Sequence, residues 1–331
     1  VATYARELRH GLEEDPNGAV HELRHEATAH ASGKFRITAG VSREANWYPR
    51  GLAHAARAAN VDLIHTPAAM PVRGHDLPVV MTIHDAIPWR HPEWFTKANA
   101  IQQRVLVGGA ARAAQLVLTD SDASRRDIIE FLRVDPERVE TIHLGISPDF
   151  SPTLRDPEWL SSRFGTSGPV VLSVGTPEPR KNLAATVSIF ERVITDIPDA
   201  TLLLVGGDGW GADEIGERIT RLGPQAIRTG HMPFDDLTRT YASADCFLFP
   251  SLLEGFGLPP LEAMASGTPV VCSNRPSLPE VVGEAARTMD PHDIEGLAGA
   301  VTSILTNVRL ARELRRLGLE QAGRFPWSRT V

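Results

Sequence analysis

The feature that most constrains this chain is a repeated alternation of two patterns. Short runs rich in Val, Leu and Ile are followed by stretches in which apolar residues recur at helical spacing. The runs are VDLIH (61–65), VVMTIH (79–84), LVLTDS (116–121), VETIHLG (139–145), VVLSVG (170–175), TLLLVGG (201–207), CFLFPS (246–251) and PVVCSN (269–274). Near-continuous branched apolar runs belong to strands covered on both faces. Alternation of such strands with helices builds parallel sheets flanked by helices. Helices are expected at 98–114, 122–133, 183–196, 211–222, 235–244, 259–266, 293–306 and 308–323. A further helical face at 1–12 gathers Val1, Tyr4, Ala5, Leu8 and Leu12.

At 331 residues the chain is long enough for about two domains. The expected fold class is α/β, with two Rossmann-like domains whose parallel sheets face each other across a cleft. Residues 1–150 form the first domain and 169–318 the second. The stretch ISPDFSPTLRDPEWLSSRFGTSG (146–168) is rich in Pro, Ser and Gly, so 151–168 reads as the linker. Residues 319–331 read as the start of a segment crossing back to the first domain. No strand precedes the helix at 1–12, so the first strand of the first domain reads as missing.

Composition removes several functions. A net charge of −7 and a pI near 6.0 argue against a nucleic-acid footprint. No apolar run approaches the roughly 18 residues a membrane helix needs. No signal-peptide pattern is visible at the start. The two cysteines, Cys246 and Cys272, lie inside apolar runs and read as structural thiols in a reducing compartment. Cytoplasmic residence is the expectation.

Ligands of doubly wound sheets bind at the carboxyl ends of the strands, so residues just after each strand are the candidates. These include His84-Asp85, Asp120-Ser121, Gly175–Lys181, Gly230–Pro233 and Ser251–Gly257. The segment LLEGFGLPPLEAMASGTPVV (252–271) places Glu254 eight positions before Glu262, across a Gly-Phe-Gly loop. Its Pro-Pro pair suits the first turn of a helix near Pro259, which puts Glu262 in that turn. Gly255 and Gly257 let backbone N–H groups approach a ligand, and the helix start favours phosphate. The plain alternative is a capped helix with solvated acids. The segment SVGTPEPRKNL (173–183) delivers Arg180 and Lys181 on a strand-end loop. Both can hold phosphate oxygens. An Arg-Lys pair is usually solvated surface, but only three lysines (Lys34, Lys97, Lys181) occur among 34 basic residues. Ser121 reads as a helix cap or, alternatively, as a site residue.

Together these two segments carry a resemblance. The chain is similar to the family-4 retaining glycosyltransferases, also described as glycosyl transferases group 1, which have the GT-B fold. The family's Glu-x7-Glu signature is matched by Glu254 and Glu262. Its GT-x-EPRKN loop is matched by Gly175, Thr176, Glu178, Pro179, Arg180, Lys181 and Asn182. LLLVGG, YASADCFLFPSLLEGFG and SLPEVVG fit as well, and VVMTIHDAIP, DSDASRRDI and HLGISPDFSP match more loosely. The resemblance implies a metal-independent, retaining hexosyltransferase that uses a nucleotide-diphosphate sugar and no other cofactor. GDP-mannose is the expected donor, with UDP- and dTDP-sugars as alternatives. The acceptor would be a hydroxyl of a glycan, a lipid-linked sugar or a small molecule; peripheral membrane contact stays open.

The resemblance also assigns roles. Arg180 and Lys181 would neutralise the departing diphosphate. Glu254 would hold hydroxyls of the donor sugar, and Glu262 the ribose hydroxyls. Gly175 and Thr176 line the donor loop. Backbone groups of Gly255, Phe256, Gly257 and Leu258 would touch sugar or phosphate, and Met232 would border the base. His84 of the first domain would reach the sugar near its anomeric carbon; a lone strand-end histidine is otherwise just a satisfied polar residue.

Three competing readings start from other features. An inactive GT-B sugar-binding protein would share the fold without needing the cations and acids. His21-Glu22-Leu23-Arg24-His25 fits the HExxH zinc pattern, without an evident third ligand. Gly207-x-Gly209-x-x-Ala212 resembles a dinucleotide fingerprint of a nicotinamide-dependent oxidoreductase, but the following strand AIRTG offers no acid for a ribose.

Overall fold

A computed structural model describes residues 2–13, 51–72, 76–97, 101, 103–207 and 212–331. The HExxH segment and part of the Gly207–Ala212 fingerprint lie outside the described residues. The chain divides into two compact units, Val1–His143 with Thr330–Val331, and Leu144–Arg329.

The first unit carries a parallel sheet of four strands, β1 (Ile64–Thr66), β2 (Val79–Thr82), β3 (Leu116–Thr119) and β4 (Val139–Thr141), in that spatial order. Met81, Ile83, Val117, Val139, Ile128 and Leu132 form its buried core. The runs at 79–84, 116–121 and 139–145 outlast their strands, so the polar residues that close them leave the sheet at the carboxyl edge. The helix from Asp122 is capped by Ser121, whose Oγ accepts the Ser124 N–H at 3.0 Å. That accounts for Ser121 without a ligand.

The second unit holds a six-stranded parallel sheet: β5 (Val170–Val174), β6 (Thr201–Val205), β7 (Ala226–Gly230), β8 (Cys246–Phe249), β9 (Val270–Ser273) and β10 (Ala286–Met289). Their spatial order is β10-β9-β8-β5-β6-β7. The chain therefore winds outward from β5 to β7, returns to the middle as β8, and winds the other way to β10. Helices Leu183–Asp196, Ile294–Thr306 and their neighbours bury Ile189, Phe190, Val193, Leu297 and Val301 against Leu202, Leu204, Leu248 and Val271. β10 shows no apolar run because it is an edge strand whose residues are only partly buried. Cys246 and Cys272 are fully buried on β8 and β9, and burial pushes both thiols up, Cys272 to about 12.

The domain boundaries differ from expectation. The division falls after His143, and 151–168 is part of the second unit. Asp156 caps a helix at Pro157–Phe164 by accepting the Trp159 N–H at 2.9 Å, and Gly165 ends it with a φ of +69°. Leu160 of this helix is buried. Arg155 donates to the carbonyls of Ala242 and Ala244 at 3.2 and 3.1 Å and pairs with Asp245 at 3.0 Å. The Pro, Ser and Gly content that suggested a linker supplies caps and a first turn instead. At the other end, helix Val308–Ala322 runs straight through the expected boundary at 318. Only Thr330 and Val331 join the first unit, where Thr330 Oγ1 donates to the His143 carbonyl at 2.8 Å.

Candidate functional site

β5 and β8 are hydrogen-bonded neighbours from which the chain departs in opposite directions. This is the switch point at which an open α/β sheet leaves a crevice beyond its strand ends. The loop after β5 carries Gly175, exposed Thr176 and a single turn at Pro179–Lys181. Asn182 follows with a φ of +53° and donates Nδ2 to the Pro250 carbonyl at 3.0 Å. The Leu252 N–H donates to the Arg180 carbonyl at 2.7 Å, and the Ser251 Oγ lies beside the same carbonyl while its one hydroxyl hydrogen goes to Glu254. The loops after β5 and β8 are thus tied together through backbone groups.

That junction concentrates charge. Arg180 donates Nη1 to Glu254 Oε2 at 2.6 Å and Nε to Glu178 Oε2 at 2.8 Å. Lys181 Nζ donates to Glu254 Oε1 at 2.8 Å and sits 4.6 Å from the centre of the Phe249 ring. The Ser251 hydroxyl gives Glu254 Oε1 a second hydrogen bond at 2.6 Å. The Glu254 and Lys181 side chains are 7% and 10% exposed, and Arg180 is 24% exposed. Burial alone would push the Glu254 carboxyl up. The Lys181 and Arg180 charges, with hydrogen bonds from Lys181 and Ser251, outweigh it and hold the carboxyl below its ordinary value. Burial lowers the Lys181 ammonium despite the pull of Glu254. This is a compact, largely buried cluster of acid and base side chains rather than a solvated surface pair.

Glu262 is placed differently. The helix begins at Leu258, one residue earlier than expected, so Glu262 lies in its second turn and not its first. Pro259 and Pro260 have no N–H, and the Leu261 N–H is used by the Gly257 carbonyl at 3.3 Å. Leu258 is then the only unspent N–H donor type in that first turn, a poorer anion cradle than an ordinary helix start. Glu262 Oε2 accepts the hydroxyl of Tyr241 at 2.8 Å. Burial pushes the Glu262 carboxyl up to about 7, against the Tyr241 hydrogen bond and the Lys181 charge. Gly257 has a φ of +124°, and a Cβ there would lie 2.8 Å from Leu278 Cδ2, so the position requires glycine. Phe256 is buried edge-on to Phe325 at 5.9 Å, and Met232 is buried against the Thr240 hydroxyl. Their side chains serve packing, which leaves backbone groups as their means of reaching a ligand. Gly255 is half-buried between Glu254 and Phe256.

In the first unit, His84 follows β2 and Asp120 follows β3. His84 Nδ1 lies 2.7 Å from Asp120 Oδ2. Burial raises the Asp120 carboxyl, opposed by the hydrogen bond and charge of His84. Tyr4 stands edge-on to His84 at 5.3 Å, and its hydroxyl pairs with Thr82 Oγ1 at 3.0 Å. Asp120 was visible in the sequence as a strand-end acid, but nothing local connected it with His84. Among the described residues, no three His, Cys, Asp or Glu side chains are grouped as metal ligands.

The second unit therefore unites Arg180, Lys181 and Glu254 directly, with Gly175 and Thr176 on the same loop. Glu262 stands on the adjoining helix with a partner of its own. Comparison with known proteins decides what this arrangement belongs to. The profile of glycosyl transferases group 1 matches residues 168–307, and that of glycosyltransferase family 4 matches residues 1–150. The chain belongs to the family-4 glycosyltransferases. Among curated relatives of this family-4 chain, O-antigen chain mannosyltransferase B of Escherichia coli is 36% identical over 260 residues, covering 75% of this chain and 66% of that protein. The serotype-specific mannosyltransferase WbdA of Escherichia coli is 30% identical over 267 residues, covering 76% and 32%. The chain thus spans less than two thirds of the first and about a third of the second. Anabaena HepE, solved in complex with UDP and glucose, superposes with a TM-score of 0.68 at 23% identity, covering 83% of this chain and 77% of that one. The fold is GT-B, as the two parallel α/β units and their solved neighbours show. No described helix is long and apolar enough to cross a membrane.

Proposed function

We propose that the chain transfers a hexosyl group, with retention, from a nucleotide-diphosphate sugar to a hydroxyl acceptor, and that GDP-mannose is the donor. The Arg180–Lys181–Glu254 cluster at the switch point carries this reading. The mannosyltransferase names of its relatives support the choice of sugar. As the bond between the anomeric carbon and the phosphate oxygen breaks, negative charge builds on the diphosphate. Arg180 and Lys181, fixed beforehand by Glu254 and Glu178, are placed to stabilise that charge without a metal. The acceptor oxygen bonds to the anomeric carbon on the face the diphosphate leaves, and its proton passes to the departing phosphate oxygen. Glu254 Oε1 already accepts two hydrogen bonds and Oε2 one. One acceptor position remains on Oε2, and a donor-sugar hydroxyl fills it in this scheme. Glu262 receives the ribose hydroxyls. His84, oriented by Asp120, is a residue to which the family resemblance assigns a part in transfer.

Thermal unfolding with GDP, UDP, ADP and dTDP tests the donor. A ligand at 100 times its Kd stabilises by about 2.7 kcal/mol. A shift with GDP, followed by mannosyl transfer from GDP-mannose, supports the proposal. A shift with UDP alone replaces the donor, and no shift with any of the four removes the nucleotide-sugar reading.

A further inference from the structure

Resting on the nucleotide-sugar reading above, we propose that Tyr241 is a positioning residue that selects ribose over deoxyribose, its hydroxyl fixing one oxygen of Glu262 so that the other meets the sugar's 2′-hydroxyl. Tyr241 lies on helix Phe234–Ser243 and has no exposed surface. Its ring is held by Phe150 and Phe247, with centroids 5.6 and 5.5 Å away, and its carbonyl accepts the Thr268 hydroxyl at 2.5 Å. A ring packed between two aromatic neighbours, on a backbone anchored by Thr268, has little freedom to follow Glu262. Instead its Oη, 2.8 Å from Oε2, sets where that carboxyl points.

The two carboxyl oxygens are thereby made unequal. Oε2 is spent on a buried phenol that cannot leave it without becoming an unsatisfied buried donor. Oε1 takes no hydrogen bond from any described residue, and Glu262 is half-buried rather than sealed. An oxygen with two lone pairs in a fixed direction suits a sugar hydroxyl. A site built to accept a hydroxyl discriminates strongly against an analogue that lacks it. The groups that face Glu262 are Tyr241 and, at longer range, the Lys181 ammonium; the ionised form that accepts best is reached as pH rises through about 7.

The experiment is calorimetric titration of the wild-type chain and of Tyr241→Phe with whichever of GDP, UDP and ADP binds, and with its 2′-deoxy counterpart. Wild type is expected to prefer the ribonucleotide by about tenfold or more, the worth of a hydrogen bond to a charged group. Tyr241→Phe should shrink that preference several-fold while hardly changing affinity for the deoxynucleotide. A merely structural tyrosine would lower the melting temperature and leave the preference intact, which overturns the proposal. Should the variant fail to fold, wild type alone decides by its pH profile. The ribo-to-deoxy ratio must rise between about pH 6 and about pH 8, and because phosphate titration is common to both ligands it cancels in the ratio. A flat ratio overturns the role of Glu262 and with it that of Tyr241. Absence of any nucleotide binding to wild type overturns the donor reading itself, a different outcome from binding without discrimination.

Discussion

Replacing Lys181 by Met separates the structural and chemical roles of the cation cluster. Met keeps an unbranched chain of similar length, so packing beside Phe249 and Gly175 is retained. What disappears is the ammonium that meets Glu254 Oε1 at 2.8 Å. Glu254 is 7% exposed, so its charge cannot turn to water for compensation. Removing one partner of a buried ion pair costs about 3–5 kcal/mol. Arg180 and Ser251 still hold the carboxylate, which places the expected loss near the lower end, about 3 kcal/mol. For a unit of this size that lowers Tm by about 6–12 °C. Adding Glu254→Gln removes the orphaned charge, and stability should return to within about 1 kcal/mol of wild type. Transfer should not return, because the diphosphate has lost a fixed cation, and kcat should stay about 10²–10³-fold down. Calorimetric unfolding and initial transfer rates on the same preparations check both halves. A loss under about 1 kcal/mol in the single variant would show that the pair behaves like a surface bridge. A double variant no more stable than the single one would show that unpaired charge is not the cause. Recovery of turnover to within a few-fold of wild type would remove Lys181 from the leaving-group clamp.

Further outcomes follow from the same structure. The Glu262 carboxyl is raised from 4.5 to about 7 in the folded chain. At this group the folded state therefore binds more protons than the unfolded state between those values, and its contribution to stability falls as pH rises through that window; in urea unfolding, wild type should lose stability relative to Glu262→Gln between about pH 5 and about pH 8. Transfer activity is expected to persist in EDTA if Arg180 and Lys181 take the place of a metal, as proposed; complete loss restored by Mg²⁺ or Mn²⁺ would contradict this. Leu160→Ala should destabilise the second unit by about 2–5 kcal/mol, whereas a near-neutral effect would return 157–164 to the status of a linker. His84→Ala should bind the nucleoside diphosphate as wild type does but transfer poorly, and equal loss of both would place His84 in the nucleotide pocket.

Much was legible along the chain because it rests on local causes. VVLSV, TLLLV and CFLF are strands for the same reason they are conspicuous: branched apolar side chains must be covered on both faces of a parallel sheet. The helices at Leu183–Asp196 and Ile294–Thr306 follow from apolar spacing, and the Arg180-Lys181 and Glu254-x7-Glu262 segments carried the family resemblance without any coordinates. Where local chemistry has two uses, the sequence misled. Pro, Ser and Gly around 151–168 mark a linker or a capped helix equally well, and burial of Leu160 settled it as a helix.

Partnership was set elsewhere. Arg180 and Lys181 stand 74 and 73 residues from Glu254, and they meet because β5 and β8 pair at the point where the winding reverses. His84 meets Asp120 across 36 residues because β2 lies beside β3. Tyr241 reaches Glu262 from a different helix, 21 residues away. Strand order and helix packing are properties of the whole hydrogen-bond ladder and the core it covers. A run of apolar residues states that a strand forms and which polar residues lie at its end, but only burial of the complete sheet selects its neighbours, and with them which charges are brought within hydrogen-bonding distance.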